Sequence, residues 1–371
     1  MKVTTLNKQD LSDILYGCII FGTGGGGELD EGFDYIDRAL AAGKEFKLVS
    51  IDEVPNSAKI CTPYMLGAIS PLSAKEELAY KELPRSKEPS IMTAFKRLEK
   101  YTGDSYFGTV CCELGGSNTA ISFYVAAMSD GYIIDADPAG RAVPEITHST
   151  YYLNGLPAAP IVTANEFGEC FICENVKDDL RAESIVRALA QVSRNDIAAI
   201  DHALDAKDLK NALIKGTITK SLEMGRVYRQ AKANGDDLAE VIAQQGGGFV
   251  TFRGKTKDYY FALENGFTVG YVSIEGVDEY QGNTYDIEIK NENLVARRNG
   301  KVDVTIPDLI CCIDLDRAEP VTNPNHINGM NIAIVILPAP QEFTTEKGLQ
   351  AFGPTYVGLD QAYIPAIKNK K

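Results

Sequence analysis

Histidine is scarce in this chain of 371 residues, which has only His148, His202 and His326. That scarcity disfavours a catalytic zinc centre built on several histidines, although mixed His/Asp/Cys ligation stays open. Positive charge is short as well. A net charge of -14 argues against duplex nucleic acid as a partner, because phosphate recognition needs a concentrated basic face. The terminal cluster Lys368, Lys370 and Lys371 reads as a solvated tail. Long apolar runs are missing: stretches such as Ile332 to Leu337 fall far below a membrane-crossing length, so no membrane partner is expected. The polar opening, Met1 to Asp10, lacks the apolar centre of a secretion signal, and a cytoplasmic location is the expectation. The glycine run Gly24 to Gly27 is not followed by Lys-Ser/Thr. It is therefore not a Walker-type phosphate loop, and a nucleotide-dependent transferase is disfavoured.

What is present is the composition of an ordinary globular protein, 44% hydrophobic and 24% charged, long enough for two domains. Eight cysteines without a leader are expected as thiols. The adjacent pairs Cys111-Cys112 and Cys311-Cys312 would point to opposite faces of strands, and Cys170-x-x-Cys173 has no second pair at zinc-ribbon spacing. Helical spacing is visible from Phe33 to Leu40 and from Ile91 to Tyr101, with a small-residue helix from Ala120 to Met128. Strands are expected at Lys47 to Ile51, Thr109 to Leu114 and Tyr132 to Ile134. This alternation predicts an α/β domain over residues 1–165. Over 166–371 the pattern predicts a β-rich (α+β) domain with a helical start: Leu180 to Val192, Leu209 to Ala231 and Asp237 to Gln245 are helical, and Asn265-Gly266 and Asn299-Gly300 mark hairpins. Exposed strand edges in such a domain make a homo-oligomer an open expectation.

Three segments carry candidate chemistry. Gly24, Gly25, Gly26 and Gly27 can bring backbone N–H groups close to an anion or substrate, or can simply build a tight turn; Glu28, Asp30 and Glu31 behind them would repel a phosphate. Glu113-Leu114-Gly115-Gly116-Ser117-Asn118 reads as a strand end turning into a helix, the usual ligand position in α/β folds, with Glu113 and Asn118 as its polar groups. Asp135 to Glu145 concentrates Asp135, Asp137, Arg141 and Glu145 in a Pro/Gly-rich loop. Its carboxylates suit a general base or a hard cation, and Arg141 can hold a substrate carbonyl or lock Asp137 in an ion pair. His148 follows as a base or ligand candidate. His202 sits in a helical, surface-like context and is expected to be chemically silent. Arg226 and Arg229 share a helix face, where solvation is the default and Arg226 is the substrate-facing candidate.

Read together, Glu113 to Asn118, Asp135-Ala136-Asp137 and Gly140 to Glu145 resemble the signature of the S-methyl thiohydantoin desulfurase-like family. The glycine run at Gly22 to Gly27, the Gly67 to Pro71 turn, Gly225-Arg226-Val227, Gly266 to Gly270, Pro307 to Ile310 and Gly353-Pro354 fall in that family's order. Ala139, Val143 and His148 depart from its pattern. The resemblance implies two domains and hydrolytic removal of sulfur from a thiohydantoin ring, a small-molecule substrate. Asp137, Glu145, Arg141 and Glu113 are then the catalytic candidates; Gly24 to Gly27, Asn118, Asp135, His148 and Arg226 are the substrate-binding ones. A divalent metal held by carboxylates stays open as cofactor. A second reading from another class is a non-catalytic or ligand-sensing partner of a hydantoinase-like assembly. The hydrolase reading expects Asp135, Asp137, Arg141, Glu145 and the glycine loop to converge on one enclosed pocket.

Overall fold

The computed structural model describes residues 1–68, 70 and 72–369; the end of the Gly67 to Pro71 turn and two of the three tail lysines, Lys370 and Lys371, lie outside the described residues. Two eight-stranded sheets organise the chain. Across the first, the strands run Thr4–Leu6, Phe46–Val49, Tyr132–Ile134, Gly108–Thr109, Lys59–Gly67, Asp196–Asp205, Ile161–Ala164 and Cys170–Cys173. Its central pairs are parallel and its flanks antiparallel. Across the second they run Lys301–Thr305, Glu292–Arg298, Thr284–Lys290, Phe267–Gly276, Phe249–Glu264, Asn331–Leu337, Leu309–Asp314 and Glu319–Pro320, antiparallel throughout. The two-domain reading, α/β followed by mostly antiparallel sheet, matches this architecture.

Local chemistry explains most of the helices. Asn7 caps Lys8–Phe21 with a reciprocal bond to Asp10, and Asp237 caps Leu238–Gly246. Ser90–Thr102 stops at Gly103 in the left-handed region, where glycine carries no side-chain penalty. The helix Gly116–Met128 is buried over nearly its whole length, which is why it is rich in small and apolar residues rather than amphipathic. The expected strand Thr109 to Leu114 is shorter than its pattern suggests: pairing ends at Thr109 and the rest runs on as a buried loop. Two central strands, Lys59–Gly67 and Asp196–Asp205, carry no alternating pattern because both of their faces are covered. Among the described residues no helix is long and apolar enough to cross a membrane.

Candidate functional site

A cavity of about 370 Å³ opens where the two sheets meet. Its floor comes from Lys59–Gly67 and Asp196–Asp205, one wall from the turn at Cys112 to Gly115 and the start of the helix Gly116–Met128, and another from Pro138 to Ile146. Glu292, at the start of a second-sheet strand, closes the far side.

The glycine run is the joint that lets these pieces approach. A Cβ on Gly26 would lie 2.4 Å from the Gly115 Cα, and one on Gly25 only 1.9 Å from Glu292 Oε1. Gly26 also has φ +78°, a conformation disfavoured for residues with side chains. Its carbonyl accepts from the backbone N–H groups of Ser117 and Asn118, both at 3.1 Å. The helix start behind Gly115 is thus engaged by this loop and is not left open for an anion. Gly26 and Gly27 line the cavity; Gly24 and Gly25 do not, and lie against the Asn323 and Glu292 side chains.

Glu113 is the best-defined acid in the cavity. Oε1 accepts from Asn118 Nδ2 at 2.7 Å and Oε2 from the Val143 N–H at 2.7 Å, while Asn118 is itself anchored to the Met65 backbone. Burial pushes Glu113 up to about 7, against the lowering effect of its two hydrogen bonds. Glu292 is 2% exposed and its Oε2 has no hydrogen-bond partner. Burial, and then the charge of Glu113, drives it well above the usual carboxylate range.

His202 departs from its expected place. It lies in a strand, 2% exposed, and lines the cavity. The residues Asp-His-Ala-Leu mimic a helical face, but the register slips here: Ile60 pairs with Leu204 whereas Thr62 pairs with Asp201. This bulge gives His202 a φ of +42° and turns its ring onto Tyr151, with centroids 4.0 Å apart. Nδ1 meets Asp201 Oδ1 at 2.8 Å, Tyr64 donates its hydroxyl to Asp201 Oδ2 at 2.8 Å, and Nε2 is left without a partner. The signal available in the sequence was the Asp201-His202 dipeptide, which has no diagnostic spacing.

The acidic segment divides. Glu145 lines the cavity and accepts from Lys290 Nζ and the Tyr356 hydroxyl, both at 2.6 Å. Burial raises it, but His148, Lys290 and Tyr356 together hold it below its ordinary value. Asp137 is fully buried and does not line the cavity; Oδ2 accepts from the N–H groups of Ala139 and Gly140 and staples the loop. Burial still pushes it up to about 6. Arg141 is not paired with Asp137. It is fully buried and donates to the carbonyls of Pro307, Asp308 and Ala142 and to Thr23 Oγ1. Asp135 caps the helix Thr217–Asn234 through the Thr219 N–H and hydroxyl. His148 is packed between Phe352 and Tyr356, and burial drops it to about 3. Arg226 is about half exposed and paired with Asp10 on the far face. Of the expected convergence only Glu145, Gly26 and Gly27 reach the cavity, where Glu113 and Asn118 join them, while Gly24, Gly25, Asp135, Asp137, Arg141, His148 and Arg226 do not line it. Glu292 and the Asp201–His202 pair take the places the sequence did not assign.

Cys112 also lines the cavity, and burial followed by the neighbouring Glu113 charge holds its thiol well above the ordinary value, which makes it a poor nucleophile. All eight cysteines are free. Among the described residues no group of three or more His, Cys, Asp or Glu side chains is placed to hold a metal ion.

Family models match nearly the whole chain: S-Me-THD-like, N-terminal domain, over residues 9–175, and S-Me-THD-like, C-terminal domain, over residues 177–366. Comparison with curated proteins gives no match. Among solved structures, the chain is similar to an X-ray crystal structure of a protein from Chromobacterium violaceum, at 22% identity over 98% of this chain and 99% of that one, with a TM-score of 0.74. At that identity the likeness shows the fold.

Proposed function

The chain belongs to the S-Me-THD-like family, and on that premise we propose that it is a hydrolase of a cyclic thioureide, ureide or related cyclic amide. The observation that carries the reading is one cavity lined by both Glu113 and His202, whose Nε2 has no hydrogen-bond partner. With the Nδ1 proton directed to Asp201, Nε2 is a proton acceptor for a water molecule, and Asp201 stabilises the imidazolium that forms. Tyr64 fixes the Asp201 carboxylate, so the imidazole keeps one orientation. Glu113, poised near neutrality, exchanges a proton with a ring nitrogen as water adds to the ring carbon. On a thiohydantoin that carbon bears the sulfur, and collapse of the adduct releases it.

The test is a panel of hydantoins and thiohydantoins, with release of sulfide or thiol and ring opening measured separately. Turnover that falls in both His202→Gln and Glu113→Gln supports the assignment. Turnover unaffected by both substitutions removes it. A non-catalytic, ligand-sensing role is the second reading, favoured by the absence of Asp135, Asp137 and Arg141 from the cavity. It expects saturable binding across the same panel with no turnover of any member.

A further inference from the structure

One stretch of chain beside the cavity is held to the rest of the protein by very little. Among the described residues none from 73 to 87 is buried, and the short helix Ala74–Leu78 inside this stretch has no buried side chain. Leu78 is 66% exposed and Leu83 42%. Apolar area left in water stabilises nothing, so packing contributes little to fixing the stretch. Its ties run to two turns. Tyr80 stacks on Phe167, with ring centroids 5.7 Å apart, and donates its hydroxyl to the Gln191 carbonyl at 3.2 Å. Arg85 pairs with Glu166, whose carbonyl accepts the Ser86 N–H at 2.7 Å. Glu77 pairs with Arg194, which also pairs with Glu166 at 2.6 Å. The two turns are themselves fixed: Asn165 Nδ2 bonds Ser193 Oγ at 3.1 Å, and the Asn195 carbonyl accepts the Ala68 N–H at 3.0 Å. Arg194 and Asn195 have φ of +60° and +58°, a left-handed conformation that persists only where the surroundings impose it.

Arg194 stands at the joint. It lines the cavity together with Leu72 and Glu77, and it is the partner of Glu77 on the exposed stretch. Both of its terminal nitrogens are paired, but its Nε is shut off from water and has no hydrogen-bond partner. A buried donor left unsatisfied favours any arrangement that hydrates it. We propose that residues 73–87 form a lid at the mouth of the cavity, latched by Arg194 through Glu77, which swings off the two turns to admit and release a ligand. Opening breaks the Glu77–Arg194 and Arg85–Glu166 pairs, whose side chains are between 27% and 48% exposed, so each pair contributes little. In return, water reaches Arg194 Nε. The closed arrangement is therefore only modestly favoured, as a segment that opens within a folded protein requires. The inference concerns access to the cavity and not chemistry inside it, so it stands or falls apart from the hydrolase reading.

Two adjacent thiols report on the lid. Cys112 lines the cavity, whereas Cys111 is fully buried in the core. Both are alkylated with iodoacetamide in the full chain at a fixed alkaline pH, and each is followed by peptide mass spectrometry. Glu77→Gln and Arg85→Gln each remove one tie. Either should speed labelling of Cys112 by about twofold to fivefold, as expected for one partly exposed ion pair, and leave Cys111 unlabelled. Should a variant not fold, the wild type decides, because raising sodium chloride screens both pairs and should speed Cys112 in the same way. Labelling of Cys112 that responds to neither substitution nor to salt overturns the proposal. So does labelling that rises in Cys111 and Cys112 together, which is general unfolding and not the movement of a lid. The measurement needs no ligand, so failure of the hydantoin panel to turn over removes only the hydrolase reading, and an unresponsive Cys112 removes only the lid.

Discussion

Arg141 stood among the catalytic candidates, yet its geometry is that of a strut, and Arg141→Met separates the two. The guanidinium is fully buried and donates four hydrogen bonds: 2.8 Å to the Pro307 carbonyl, 3.1 Å to Asp308, 3.0 Å to Thr23 Oγ1 and 3.0 Å to Ala142. It also lies 5.1 Å from the Phe352 ring centroid. Methionine restores part of the volume and none of the donors. Each orphaned buried acceptor costs about 1–3 kcal/mol, but neighbouring losses overlap. Breaking a buried charged network in this way typically costs about 3–5 kcal/mol, a large part of the roughly 5–15 kcal/mol that holds a native protein together. The substitution also removes the positive charge that lowers Glu113 and Glu292, so both carboxyls should move further up. Urea unfolding gives the loss directly, as a lower midpoint at unchanged slope. A variant that loses less than about 1 kcal/mol would show that the guanidinium does not brace the fold, and the assignment of it as a strut would be wrong.

Gly26→Ala places a Cβ 2.4 Å from the Gly115 Cα at φ +78°, whereas Gly43→Ala meets nothing within 4 Å at φ +70°. The second should lose only the conformational cost of about 1–2 kcal/mol. The first should lose about 1–3 kcal/mol more from overpacking, and equal unfolding midpoints would remove the joint from the argument. His202→Gln should lower kcat by about 10²–10⁴ with KM changed far less, and a loss confined to KM would demote the imidazole to a binding group. For Glu113 the folded value of about 7 lies above the ordinary 4.5. Its protonated form therefore contributes stability that is complete below about 4.5 and is lost as pH rises through about 7, on the order of 3 kcal/mol. Glu113→Gln should flatten that slope and gain stability relative to wild type as pH rises. Parallel stability–pH curves for the two proteins would refute the raised value.

Helices were legible in the sequence wherever one face is wet. Ser90–Thr102 and Leu29–Ala41 repeat apolar residues at helical spacing because their other side meets solvent. Lys59–Gly67 and Asp196–Asp205 were not legible, since strands covered on both faces need no alternation, and Pro63 inside the first argues against a central strand. At the site, Glu113, Asn118, Gly26 and Gly27 could be picked out because a strand-to-helix turn leaves a local imprint of glycines beside polar residues. His202 could not, because its position depends on a bulge set by the partner strand rather than by its own neighbours. Glu292 was hidden for a different reason: it opens an ordinary strand, and nothing in its own neighbours marks the close approach of Gly25 to its carboxyl.

The density of charge between Asp135 and Glu145 follows from what that segment has to connect. Asp135 reaches Thr219, Arg141 reaches Thr23 and the Pro307–Asp308 backbone, and Glu145 reaches Lys290 and Tyr356. Each of those bonds ties the segment to another part of the chain, and all but the Thr23 bond run from the N-terminal family domain to the C-terminal one. Glu113 comes from the first of those domains, whereas His202 and Glu292 come from the second. The segment therefore helps to hold Glu292 in register with Glu113, while the pairing of Asp196–Asp205 with Lys59–Gly67 already fixes His202 against the first sheet. Altering Asp137 or Arg141 should then reduce activity by displacing Glu113 from Glu292, which makes loss of turnover in such variants weak evidence that either side chain takes part in the chemistry.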